Sequence, residues 1–157
     1  MRNGNVEIHF KPQGDNLLPY SPCCLCSSSS NFAFQIFKQI PQSEDYLLLH
    51  RSETQETDHP KFESLRMKLG KFCSNDPNLK IKVGIYVDSD GQYISRGDFT
   101  TSCGEIQGGK TSFEVSLDGQ EAGTFTFDGF KMQENPSMMD FLRSGWQIAT
   151  QVCIDYT

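Results

Sequence analysis

Only one tryptophan and three histidines occur among 157 residues, and no run of apolar residues approaches the length that crosses a bilayer. A membrane-spanning helix is therefore not expected. From Met1 to Val6 there is also no apolar stretch of signal-peptide length, which points to a cytoplasmic chain, soluble or peripheral at membranes. Cations are in the minority, with 14 Lys and Arg against 20 Asp and Glu for a formal charge of −6. Nucleic acids are held largely by Lys and Arg displacing counterions from phosphates, so a nucleic-acid partner is not expected either. Equally missing are a nucleophile with a base and an orienting partner, a phosphate-cradling glycine loop, and a pair of catalytic carboxylates. The stretch Gly104 to Thr111 ends like a phosphate loop, yet its glycines are wrongly spaced and it leads into a strand. The expectation is a binding protein without enzymatic activity.

What is abundant is phenylalanine, twelve residues of it in a chain otherwise rich in polar side chains. Phe fills the interiors of β-sandwiches, and the length suits one domain with a tail. Short stretches of strand character recur at regular intervals: Asn5 to Phe10, Phe32 to Lys38, Tyr46 to Ser52, Phe62 to Lys71, Lys80 to Val87, Gly97 to Ser102, Ser112 to Leu117 and Gly123 to Lys131. Between them stand Asp76-Pro77, Asp90-Gly91, Gly108-Gly109 and Asp118-Gly119, all turn formers, and no helical period is evident before residue 136. Leu65, Met67 and Leu69 share one face of the fourth strand, and Ile81, Val83 and Ile85 one face of the fifth. The class is thus all-β, a sandwich or barrel of eight short strands. After Pro136, a short helix from Ser137 to Arg143 is predicted with Ser137 as N-cap and Ser144-Gly145 as its stop. A ninth strand is predicted from Trp146 to Ile154.

The run from Ser137 through Thr157 resembles, with spacing kept, the segment by which copines leave their second C2 domain and enter a von Willebrand A domain. His59-Pro60-Lys61-Phe62 is similar to the Asn-Pro-x-Trp/Phe turn that opens a central C2 strand, and Ile85 to Gly97 aligns with the family's third calcium loop. The resemblance implies an eight-stranded C2 sandwich over 1–135, then a linker and the truncated start of an A-domain-like segment over 136–157. Asp155 and Thr157 hold the first two places of the A-domain metal motif Asp-x-Thr-x-Ser. A fragment of a longer copine-like protein and a stand-alone C2 protein both fit this pattern.

Phospholipid binding, aided by calcium, is the activity that the resemblance implies. Calcium takes six to eight oxygen ligands, several of them carboxylates. At the positions where the family carries aspartates, this chain has Tyr86, Asp88, Asp90 and Ile94 in the third loop, and Ser21, Ser30 and Asn31 in the first. Asp88 and Asp90 remain as candidate metal ligands, with Asp15 a distant third, and no tight calcium site or other cofactor is expected. Arg66, Lys68, Lys80 and Lys82 would share the concave face if their strands pair. Such a patch serves either an anionic phospholipid surface, at roughly 1 kcal/mol for each cation, or simply solvation of the sheet. Cys23, Cys24 and Cys26 admit three roles: a zinc half-site, acylated anchors, or plain residues of a long insertion. Zinc is disfavoured because His9, His50 and His59 stand singly, and without a secretory signal all six cysteines are expected as free thiols. The expected function is a copine-like C2 module for membrane or protein binding, largely independent of calcium. The alternative is a structural subunit, a C2 sandwich built permanently into a larger assembly.

Overall fold

Large apolar side chains at every second position give each strand one face to bury, and the chain satisfies eight of them at once. In the computed structural model, which describes residues 5–20, 30–147 and 149, the strands are β1 (Val6–Asp15), β2 (Asn31–Gln39), β3 (Tyr46–Arg51), β4 (Leu65–Lys68), β5 (Lys80–Ser89), β6 (Gln92–Ser102), β7 (Ser112–Leu117) and β8 (Gln120–Glu134). They form one curled antiparallel sheet in the order β3-β2-β5-β6-β7-β8-β1-β4. The first four and the last four are its two halves. Between them, β6 and β7 are joined through a single residue pair, Asp98 with Ser116.

The core lies inside the curl and is built largely of rings. Phe10, Phe34, Phe125 and Phe127 are wholly buried, and Phe34 meets Phe62 and Phe125 edge to face with centroids 4.8 and 5.2 Å apart. Phe99 stacks on Phe113 at 4.9 Å, a contact that crosses from one half to the other. Edge-to-face and offset-stacked pairs are the arrangements that the ring quadrupole favours.

Gly97 explains how the two halves approach so closely. It holds φ at +116°, and a Cβ there would stand 2.7 Å from the Ser116 carbonyl oxygen. Only glycine tolerates both conditions. At the far ends of the β5–β6 and β7–β8 hairpins, Asp90-Gly91 and Asp118-Gly119 have positive φ at both central residues, the geometry of two-residue type I′ turns.

The sequence expectations for strand number and the 137–143 helix match the observed elements. α3 (Met138–Arg143) has the capping box, with Ser137 and Asp140 exchanging side-chain bonds with each other's backbone. Two differences stand out. The expected strand Phe62 to Lys71 shrinks to Leu65–Lys68, because Leu69–Cys73 turns into the short helix α1, closed by Ser74 in the left-handed region. A second short helix, α2 (Cys103–Gln107), starts at Ser102, whose side chain accepts from the Glu105 amide. That helix occupies the phosphate-loop-like stretch, and Gly108-Gly109 then turns into β7. In the other direction, β1 continues past Phe10 through Pro12. A proline is accommodated there because β4 has already ended and the neighbouring segment bonds to β1 around it, with Phe62 N donating to the Pro12 oxygen at 3.0 Å and Gly14 N to the Pro60 oxygen at 2.8 Å. Trp146, Gln147 and Ala149 of the predicted ninth strand are described and are not in a strand, while the rest of it lies outside the described residues, as do Asp155, Thr157 and the Cys23, Cys24, Cys26 cluster.

Candidate binding surfaces

The β1–β2, β3–β4 and β5–β6 connections cluster at one end of the sheet, because β1, β3 and β5 run toward it and β2, β4 and β6 away from it. Arg96 ties this end together, donating through Nε to the Leu18 oxygen at 3.0 Å and through Nη2 to the Pro19 oxygen at 2.9 Å. His59, in the second connection, contacts Asp15 at the end of β1 through Nδ1 and accepts there from the Asn16 amide at 3.3 Å, at the start of the first connection. Nothing in the sequence pattern singles out either residue for that task, since both bonds span distant positions of the chain.

Calcium ligation at this end can be tested on the residues present. Between Ser89 and Gln92 the third loop is reduced to a two-residue hairpin. Asp88 accepts from the Gly91 amide through Oδ1 at 2.9 Å, and Asp90 serves as a turn residue at φ +52°. Ile94 lies in the ladder opposite Val87, and neutral Asn31 stands opposite Asp88. From Asn16 to Ser30 the first connection contains no carboxylate at all. The donor set therefore does not fit a tight calcium site, which requires several carboxylates converging from more than one loop. Among the described residues no three His, Cys, Asp or Glu side chains gather in metal-binding geometry.

The four candidate cations do not come together through strand pairing. Instead of pairing with each other, β4 pairs with β1 and β5 with β2 and β6, which places Arg66 and Lys68 on one half of the sheet and Lys80 and Lys82 on the other. Lys82 ion-pairs with Asp98 at 3.6 Å and lies 5.8 Å from the Tyr46 ring centre. Around it the outer face is aromatic: the Arg51 guanidinium stands 5.0 Å from the Tyr93 ring centre, and Tyr86 packs on Tyr93 at 6.3 Å. Tyr86 lies across Gly84, where a Cβ would come within 2.7 Å of its ring. Burial, helped by nearby Asp98, pushes the Tyr86 phenol above its ordinary range.

On the opposite half, Arg66 and Lys68 have company that the sequence alone does not supply. Cross-strand register sets Arg66 beside His9 and His9 beside Lys131, so three basic side chains stand in a row across β4, β1 and β8. Lys11 follows two residues along β1 on the same exposed face, and Lys61 is bridged to Gln13 just beyond. Two acids share this face: Glu7, opposite Lys68 and 3.6 Å from Arg66, and Asp128, opposite Lys11. Asp128 is engaged by Gln13 Nε2 at 3.3 Å. Sequence reasoning missed His9, Lys11, Lys61 and Lys131 because each sits singly in the chain and only register aligns them.

No family model matches the chain. Among solved structures it is similar to a domain named BON1-C2B, at 13% identity over 83% of this chain and 94% of that one, with a TM-score of 0.63. The first C2 domain of a plant extended synaptotagmin 1 matches at 8% identity over 88% and 99%, with a TM-score of 0.58. The fold is that of a C2 domain. A calcium-bound structure of the two tandem C2 domains of extended synaptotagmin 2 is also similar, at 13% identity over 85% of this chain and 46% of that one, TM-score 0.53. Among the described residues of this C2 chain no helix is long and apolar enough to cross a membrane.

Three further groups lie outside these surfaces. Cys73 and Cys103, far apart in sequence, are free and buried, and the Cys73 thiol donates to the Leu69 oxygen at 3.6 Å. Interaction between the two sulfurs holds the Cys73 thiol below its usual range, while the Cys103 thiol is pushed well above it. Beyond the sheet, α3 and the residues after it show apolar side chains to solvent, with Met138 63% and Trp146 67% exposed. Finally, His50 is half-buried against Phe34 with ring centres 5.6 Å apart, and desolvation lowers its imidazole, partly offset by Glu53 and reinforced by Lys71. As pH falls from neutral through about 6.5, the ordinary range of a free imidazole, the unfolded chain takes up this proton before the folded one does. This C2 domain should therefore lose stability as pH falls through that window. Between pH 7.5 and 5.5, urea midpoints should drop less in His50→Phe than in the wild type.

Proposed function

We propose that this chain is a binding module, not an enzyme, and that it docks on anionic phospholipid surfaces through the outer face of β4, β1 and β8 with little dependence on calcium. The observation that carries this reading is the basic row Arg66, His9, Lys131, continued by Lys68, Lys11 and Lys61. Arg66, Lys68, Lys131, Lys11 and Lys61 outnumber the two acids among them, Glu7 and Asp128, and in a chain of net charge −6 such an excess of cations is a local exception. An anionic surface laid over it balances that excess. The membrane supplies about 1 kcal/mol for each Lys or Arg brought near it, while the short hairpin and the engaged Asp88 leave calcium little to contribute. Lys80 and Lys82 belong to a different face, where Asp98 already answers Lys82.

Co-sedimentation with phosphatidylserine vesicles checks this. Wild-type protein should pellet equally in calcium and in EGTA and be released by high salt. The triple variant Arg66→Ala, Lys68→Ala, Lys131→Ala should bind at least tenfold more weakly, Lys80→Ala with Lys82→Ala should bind nearly as the wild type does, and Asp88→Asn with Asp90→Asn should change nothing. Pelleting that requires calcium, or that is lost only in the Lys80, Lys82 variant, would refute the assignment.

A further inference from the structure

The cationic face of β4, β1 and β8 has a histidine at its centre. His9 is half-buried on β1, and register sets Arg66 of β4 opposite it on one side and Lys131 of β8 opposite it on the other. Residues directly opposite across antiparallel strands have Cβ atoms about 4.5–5.5 Å apart, so the imidazole has a cation as its cross-strand neighbour on both sides. Two residues away along β1 in either direction stand Glu7, opposite Lys68 of β4, and Lys11, opposite Asp128 of β8. Glu7 lies 3.6 Å from Arg66, and Asp128 accepts from Gln13 at 3.3 Å. The helix α1 also packs on β1, and its one charged side chain, Lys71, acts on His50. The other two histidines are placed elsewhere: His50 lies against Phe34 in the other half of the sheet, and His59 contacts Asp15.

We propose that His9 makes docking on an anionic phospholipid surface respond to pH, binding growing stronger as the medium turns acidic; this rests on the lipid-docking reading above. Histidine is the side chain whose charge changes between pH 5 and 8, whereas Lys, Arg and carboxylates ordinarily keep theirs across that range. A neutral ring interrupts the row, leaving an uncharged position between Arg66 and Lys131. A protonated ring completes it as three adjacent cations from three strands. One more cation brought to an anionic surface strengthens binding about fivefold, the equivalent of about 1 kcal/mol. The coupling is reciprocal: a proton on His9 favours docking, and docking favours the proton to the same extent. Acidification beside a membrane therefore recruits the domain without a calcium signal.

Pelleting with vesicles of phosphatidylglycerol and phosphatidylcholine, in EGTA and at constant ionic strength, tests this at pH 7.5, 6.5 and 5.5; the lipid phosphodiester keeps its charge throughout. Wild-type affinity should rise about fivefold from pH 7.5 to 5.5. His9→Gln should bind at every pH as the wild type does at 7.5, and His9→Arg at every pH as the wild type does at 5.5. His50→Phe and His59→Gln should keep the full rise, with circular dichroism at each pH showing every variant folded. A wild type that binds equally at all three pH values overturns the inference and leaves the docking face intact. So does a rise that survives in His9→Gln, as a general loss of negative charge would give. No pelleting of the wild type at any pH refutes the docking reading itself, and this inference with it.

Discussion

Phe34→Ala should cost about 3–5 kcal/mol of folding stability, a large share of the roughly 5–15 kcal/mol that a domain of this size possesses. Phe34 is wholly buried on β2, and its ring is met edge to face by Phe62, from the segment between β3 and β4, and by Phe125 of β8 in the other half of the sheet. Truncation therefore removes more than one side chain's transfer energy. It empties a space lined by His50 of β3, Phe62 and Phe125, and it also loses aromatic pairs worth about 0.5–1.5 kcal/mol each. The backbone of Phe34 is anchored independently by the Ser52 hydroxyl at 2.9 Å, so little collapse is available to close the cavity. Phe34→Leu, which keeps most of the volume, should cost about half as much. Urea unfolding of the three proteins checks the order, and equal costs for the two variants would mean that the site relaxes.

Gly97→Ala should be nearly as damaging, by a different route. A residue with a side chain at φ +116° is strained by about 1–2 kcal/mol, and here its Cβ would also meet the Ser116 oxygen at 2.7 Å and Val115 Cγ1 at 2.8 Å. Both obstacles belong to β7, and one is backbone, so neither yields by a rotamer change. β7 must move away at Ser116, the residue its ladder with β6 pairs to Asp98. A total of about 3 kcal/mol or more is expected. The comparison that isolates the clash is Gly91→Ala, at φ +84° with nothing within 4 Å of the new carbon, which should cost only about 1 kcal/mol. If the two variants melt together, steric contact with β7 is not what fixes glycine at 97.

The strands were legible wherever period-two burial was uninterrupted. Ile81, Val83 and Ile85 read as one buried face, and all three are buried. The same rule misled at Leu69, whose alternation with Leu65 and Met67 looks like one more strand residue but which begins α1, where Phe72 and Cys73 follow at helical spacing. A five-residue helix is too short to display a period against its surroundings. Sites fared differently from elements. The absence of carboxylates from the first connection is visible in the residues alone, and Asp90-Gly91 is as good a turn signal as a degenerate ligand pair. Which cations share a face depends on strand order, and the order β3-β2-β5-β6-β7-β8-β1-β4 is set by long-range pairing that local pattern does not encode. Arg66 and Lys68 were found by their alternation within one strand. Lys131 becomes their neighbour only once β8 is known to lie beside β1.

That same neighbouring of first and last strands frees the architecture from its chain order. Val6 lies across from Glu134, and the Asn135 amide reaches the Asn5 oxygen at 2.8 Å, so a linker of a few residues would bridge the two at about 3.5 Å for each residue. Cutting the β7–β8 turn at Asp118-Gly119 would then yield a circular permutant in which β8 leads and β7 trails, with every ladder intact. The β1–β8 pairing, now the most distant in sequence and the slowest to find, would become a local hairpin, and the route by which the sheet assembles would change while its destination did not.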